Sequence, residues 1–159
     1  MDIRPVSSPA HPAEALIDTL FAALAAKDPA TALAMFDDRI VYTNVGLSTL
    51  RGRAKMRTVI RLLTSPAVDF RVYTRTSAVV AGADGELPAD SPVTVLNERV
   101  DEIALGRLVI RFWVCGRFVV DDAVITRWRD YFDMVDIARG FGRALLGVAV
   151  PRWNRPAPR

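Results

Sequence analysis

From residue 107 to 120, apolar side chains recur at alternate positions: Leu108, Ile110, Phe112, Val114, Phe118 and Val120. Only an extended strand gathers such a set on one face, because successive strand side chains point to opposite sides. The other parity carries Arg111, Trp113, Cys115 and Arg117. The first set needs cover, and the second is mixed. Strands are therefore predicted at about 92–104, 107–120 and 123–132, joined by turns at Gly106 and at Asp121-Asp122.

The chain before this meander reads differently. Leu16, Ile17, Leu20, Phe21 and Leu24 form a stripe at helical spacing, predicting a helix over about 13–27. Asp28 followed by Pro29 starts a second helix running to about Phe36. A strand at about 39–45, a helix at about 53–64 and a strand near 68–77 follow. A last helix starts near Asp133 or Asp136. Helices first and an antiparallel meander after them give an α+β domain, its curved, mostly antiparallel sheet wrapped around the early helices. Residues 1–12 are expected to be disordered, 13–150 to form one domain, and 151–159 to be a flexible Pro/Arg tail. Residues 82–90 are turn-rich.

Composition narrows the class. Hydrophobic residues make up 51% of the 159 and charged residues 25%, which excludes a disordered chain. No apolar run is long enough to span a bilayer. One cysteine, Cys115, forbids an internal disulfide and fits a reducing, cytoplasmic setting. The net charge of +3 resides partly in the tail, so no nucleic-acid surface is expected.

Against this background a few polar residues take the inward parity of their strands. Arg99 and Asp101 share it with Val93, Val95 and Ile103. Asp130 shares it with Val124, Trp128 and Phe132, and Tyr42 points with Asn44. A carboxylate buried among such groups costs several kcal/mol, of the order of an unpaired buried charge, unless it is paired. Many chemistries are closed. The sole histidine, His11, lies in the N-terminal segment, so neither a histidine-based triad nor a histidine metal cluster is available. No glycine-rich phosphate loop follows a strand. What remains is acid–base work by carboxylates, without cofactor or metal.

Three strings carry a resemblance: Tyr42-x-Asn44, Asn97-Glu98-Arg99-Val100-Asp101, and Thr126-Arg127-Trp128-Arg129-Asp130-Tyr131-Phe132-Asp133. In order and spacing they resemble the limonene epoxide hydrolases over about residues 13–147. That family has the cone-shaped α+β fold shared with nuclear transport factor 2, ketosteroid isomerase and scytalone dehydratase. The resemblance implies a one-step hydrolysis without covalent intermediate. Tyr42, Asn44 and Asp130 would hold a water, Asp130 would take its proton, Asp101 would protonate the epoxide oxygen, and Arg99 would hold both carboxylates. A lipophilic epoxide (terpenoid, sterol or fatty) would be the substrate, lined by Phe21, Leu24, Ile103, Phe112, Val114 and Phe132, and the product would be a vicinal diol. An isomerase or dehydratase of the same fold and a non-catalytic binding domain are the alternatives. Trp113 and Tyr131, with Arg111, Cys115, Arg117, Arg127 and Arg129, mark the outer face of the sheet as a homodimer contact. Glu98 and Glu102 are expected to supply the matching charge.

Overall fold

Ala13, Ile17, Leu20, Phe21 and Leu24 recur at helical steps and are all buried on one side of helix α1 (Pro12–Ala25). A computed structural model of the chain describes residues 11–80 and 92–149. The expected disorder of residues 1–10, the turn-rich stretch 82–90 and the tail 151–159 lie outside the described residues. His11, expected in loose chain, is instead the N-cap of α1: its Nδ1 accepts from the Ala13 N–H at 3.1 Å, and Pro12 opens the helix.

The next segment departs from expectation by two residues. Asp28 caps helix α2 (Pro29–Ala34), accepting from the Thr31 N–H at 3.0 Å, but the helix stops before Phe36. Strand β1 (Phe36–Asn44) starts there, because Phe36 is fully buried and pairs with Ile125. Asp37, Asp38 and Arg39 hide that start from a search for apolar alternation. Strand β2 (Thr49–Arg51) is too short to alternate and was not expected. Gly52, at φ +88°, turns the chain into helix α3 (Arg53–Leu63) in a conformation that favours glycine.

Strands β3 (Asp69–Val79), β4 (Val93–Leu105), β5 (Leu108–Asp121) and β6 (Val124–Phe132) follow, then helix α4 (Met134–Ala149). Asp133 opens α4, its carboxylate accepting from the Val135 N–H at 2.7 Å. The fold is α+β. Its curved sheet runs β2-β1-β6-β5-β4-β3 and is antiparallel except where β1 meets β6. Glycine at φ +58° turns β4 into β5 at Gly106, while Asp122 and Ala123 both take positive φ between β5 and β6.

Register places the site. Val95, Phe118, Trp128 and Tyr42 form one row across β4, β5, β6 and β1. The next row is Asn97, Gly116, Asp130 and Asn44. Arg99 and Val114 lie opposite each other one step further, with Phe132 beside Val114. Val95, Phe118 and Trp128 are closed by Phe21, Leu24 and Phe36 into the core. The same concave face is thus apolar at one level and polar at the next.

The opposite face leaves Leu96, Trp113 and Tyr131 exposed. The glutamates expected to reach a partner copy are engaged within the chain. Glu98 accepts from Arg75 at 3.3 Å and from the Trp113 indole at 2.9 Å, and Glu102 accepts from Arg111. Neighbouring strands bring these side chains together because Glu98 lies opposite Cys115 and Glu102 opposite Arg111.

Candidate active site

Arg99 is fully buried, the largest side chain among the described residues to be so. It springs from the middle of β4, where Val93, Val95 and Asn97 share its parity and set its direction. Its Nε donates to Asp101 Oδ1 at 2.8 Å and its Nη2 to Asp101 Oδ2 at 3.3 Å. Nη2 also lies 2.9 Å from Asp130 Oδ2, and Nη1 donates to Asn97 Oδ1 at 3.0 Å. The Phe21 ring lies 5.0 Å from Cζ, within cation–π range. One guanidinium therefore bridges two buried carboxylates from strands that are not neighbours.

Asp130 has a second fixed partner. The Trp128 indole N–H, two residues before it on the same face, donates to Asp130 Oδ1 at 2.7 Å. At the end of β1 the Tyr42 hydroxyl donates to Asn44 Oδ1 at 3.0 Å. That bond leaves the Tyr42 oxygen as an acceptor and the Asn44 amide as a donor.

Burial raises the pKa of both carboxyls, and Arg99 opposes it. Asp101 is pushed up to about 6 by burial, with Arg99 lowering it and the Asp130 charge raising it further. Asp130 is raised by burial and lowered by Arg99 and by the Trp128 hydrogen bond. Burial alone would lower Arg99, but Asp130 and Asp101 outweigh it and hold the guanidinium charged. Tyr42 is raised by burial and then by the Asp130 charge, so it stays a phenol. Two ionised carboxylates and one guanidinium would carry a net charge of −1. One shared proton brings the unit to zero, the cheapest state in an apolar surround.

A cavity of about 210 Å³ opens on this unit. Tyr42, Asn44, Asp101 and Asp130 face it together. Ile103, Phe112, Val114 and Phe132 line it, and so do Leu47, Leu63, Phe70, Trp128 and Ile137. Phe21 and Leu24, expected in the lining, are elsewhere. Helix α1 lies on the apolar level of the sheet, so Leu24 is sealed in the core and Phe21 lies against Arg99, Phe118 and Trp128. Among the described residues no group of three or more His, Cys, Asp or Glu side chains is placed to hold a metal. No described helix is long and apolar enough to cross a membrane.

Sequence reasoning missed Asn97 and Trp128 as parts of this unit. Both carried a signal: each is two residues from a buried charge, on its face, and brings a hydrogen-bonding group. Leu47 lies in the turn between β1 and β2 and had no periodicity to reveal it.

The limonene-1,2-epoxide hydrolase catalytic domain matches residues 12–143. The chain is 39% identical over 135 residues to the epoxide hydrolase EphG of Mycobacterium tuberculosis, covering 85% of this chain and 83% of that protein. The structure of an M. tuberculosis limonene epoxide hydrolase-like enzyme superposes with a TM-score of 0.77 at 35% identity, covering 92% of this chain and 96% of that one. A Catenulispora acidiphila protein with a ketosteroid isomerase-like fold superposes with a TM-score of 0.61 at 14% identity, covering 80% and 92%. That likeness concerns fold alone.

Proposed function

The chain belongs to the limonene-1,2-epoxide hydrolase family and is an epoxide hydrolase, and from that premise we propose that it adds water to a lipophilic epoxide in one step to give a vicinal diol. The observation that carries the proposal is the buried Asp101–Arg99–Asp130 unit facing an otherwise apolar cavity beside Tyr42 and Asn44.

In this reading a water donates one hydrogen to Asp130 and the other to the Tyr42 oxygen, and accepts from the Asn44 amide. Asp130 removes the first proton as the water oxygen bonds to an epoxide carbon. The bond between that same carbon and the epoxide oxygen breaks on the side away from the water, and Asp101 delivers its proton to the departing oxygen. Arg99 stays charged and keeps the negative charge shared as it moves from Asp130 to Asp101. The Trp128 hydrogen bond favours ionised Asp130, which supports Asp130 as the base and Asp101 as the acid. Solvent exchange then returns the proton from Asp130 to Asp101.

The proposed substrate contacts are Ile103, Phe112, Val114 and Phe132. A volume of about 210 Å³ lies below the range of roughly 300–1,000 Å³ usual for ligand pockets. It favours a compact terpenoid epoxide over a sterol. We place the enzyme in a reducing, cytoplasmic setting, since Cys115 is free. We also propose a homodimer packed through the outer sheet face, where Leu96, Trp113 and Tyr131 are exposed.

Turnover of a panel of neutral and charged epoxides tests the reading. Limonene 1,2-epoxide is expected to be opened to its diol with no added cofactor and no effect of a chelator. Asp130→Asn should stay folded and lose about 10²–10⁴-fold in kcat, the usual worth of a general base. An Asp130→Asn enzyme of full activity, or a preference for charged epoxides, would reject it.

A further inference from the structure

Arg99 starts on β4 and reaches Asp130 on β6, with β5 between them. Two strand spacings are roughly 9–10 Å. The guanidinium must therefore pass over β5, and the residue opposite Asp130 on that strand is Gly116. Gly116 is also opposite Asn97, the third partner of the guanidinium. A Cβ at residue 116 would run into Arg99 Nη1, and would come within 2.5 Å of Asn97 Oδ1 and 2.9 Å of Phe118 Cε2.

The backbone does not demand glycine here. Gly46, Gly52 and Gly106 have positive φ, whereas Gly116 does not, and it sits in regular antiparallel pairing on both sides. A mid-strand glycine with ordinary torsions is a net cost in conformational entropy and lost packing. The space it leaves is what the molecule uses. That space is filled by a side chain that cannot shift without losing a contact, because Arg99 is fully buried and tied to three partners.

We infer that Gly116 is a positioning residue for the acid–base unit: its missing side chain is the passage through which the Arg99 guanidinium crosses β5 to join Asp101 to Asp130. This deepens the hydrolase reading and rests on it for its kinetic part only. With any larger residue at 116 the guanidinium is pushed off Asp130 while its Nε contact to Asp101 on its own strand can remain. Asp130 then loses its main counter-charge and holds its proton to higher pH.

The test is a four-way comparison of wild type, Gly116→Ala, Arg99→Ala and the double variant. On limonene 1,2-epoxide, Gly116→Ala is expected to lower kcat by about 10²-fold, the scale of a displaced catalytic group, with KM changed by less than about threefold. The acid limb of its kcat–pH profile should move to higher pH, a shift that mere loss of packing would not produce. Thermal unfolding supplies an arm independent of activity. Gly116→Ala should lower Tm by about 4 °C or more in the wild-type background, and by clearly less where Arg99 is already alanine. Failure of Gly116→Ala to fold, with a folded double variant, supports the inference equally. Unchanged kcat with an unmoved acid limb, or the same Tm loss in both backgrounds, overturns it. A folded Arg99→Ala whose double variant is unfolded does so too. Wild type inert on every epoxide would reject the hydrolase reading, and the unfolding arm would still decide the role of Gly116.

Discussion

Strand β4 carries Glu98, Arg99 and Asp101 within four residues, and parity sends Glu98 to one face and Arg99 and Asp101 to the other. On the outer face Arg75 meets Glu98 at 3.3 Å with side chains 52% and 41% exposed. On the inner face Arg99 meets Asp101 at 2.8 Å with 0% and 8% exposed. The atoms in contact are the same kinds. Water screens the first pair and leaves it weak, whereas the second pair has lost its water and depends on the partners it finds. The inner carboxyls respond with raised pKa values, set by burial against Arg99. A buried pair of carboxyls bridged by one guanidinium is thus built by alternation, with no special residue type.

The largest expected effect comes from breaking the inner pair. Arg99→Ala removes the cation that bridges two buried carboxyls. Removing one partner of a buried pair typically costs about 3–5 kcal/mol, because the other charge is left uncompensated. Denaturant unfolding at neutral pH checks this. A loss below about 1 kcal/mol would place the inner pair in the same class as the outer one.

The pH dependence is the next effect, and it sharpens the contrast. Asp101 is raised to about 6 by burial, against the lowering by Arg99. A carboxyl raised on folding binds its proton more tightly in the native state. Its contribution to stability is therefore full below the ordinary carboxylate range and is lost as pH rises to about 6, with no further change above. Wild type measured against Asp101→Asn should show that decline between about pH 4 and pH 6. Since Asp101 must hold the proton to act as acid, kcat/KM should fall about tenfold per pH unit above about 6. A profile flat to pH 9 would remove Asp101 from the acid role.

Alternation made β4, β5 and β6 legible to within a residue or two, because each runs long enough for parity to repeat. It also put Arg99, Asp101 and Asp130 on one face. The start of β1 at Phe36 was hidden by three charged residues, and β2 by its length. The pocket role expected of Phe21 and Leu24 rests on the cone fold, and their helical stripe says which side of α1 is covered but not at which level of the sheet it lands. Gly116 interrupts the alternate apolar series of β5. Its reason lies two strands apart in space and is invisible along the chain.

The smallest effects belong on the outer face. Glu98 is half exposed and accepts from Arg75 and from the Trp113 indole. Solvent shares those bonds, so Glu98→Gln should change unfolding free energy by less than about 1 kcal/mol and leave turnover intact. Trp113 serves a different purpose in the proposed dimer. Trp113 is 39% exposed and Tyr131 38%, and the glutamate that holds the Trp113 indole is already satisfied within the chain. A partner copy would then gain from this face by covering the rings rather than by pairing with Glu98. Trp113→Glu places a charge in that contact, so sedimentation should give a dimer for wild type and for Glu98→Gln, and a monomer for Trp113→Glu. A wild-type monomer at micromolar concentration would defeat the dimer. A Glu98→Gln monomer would show instead that charge, and not the covered rings, holds the two copies together.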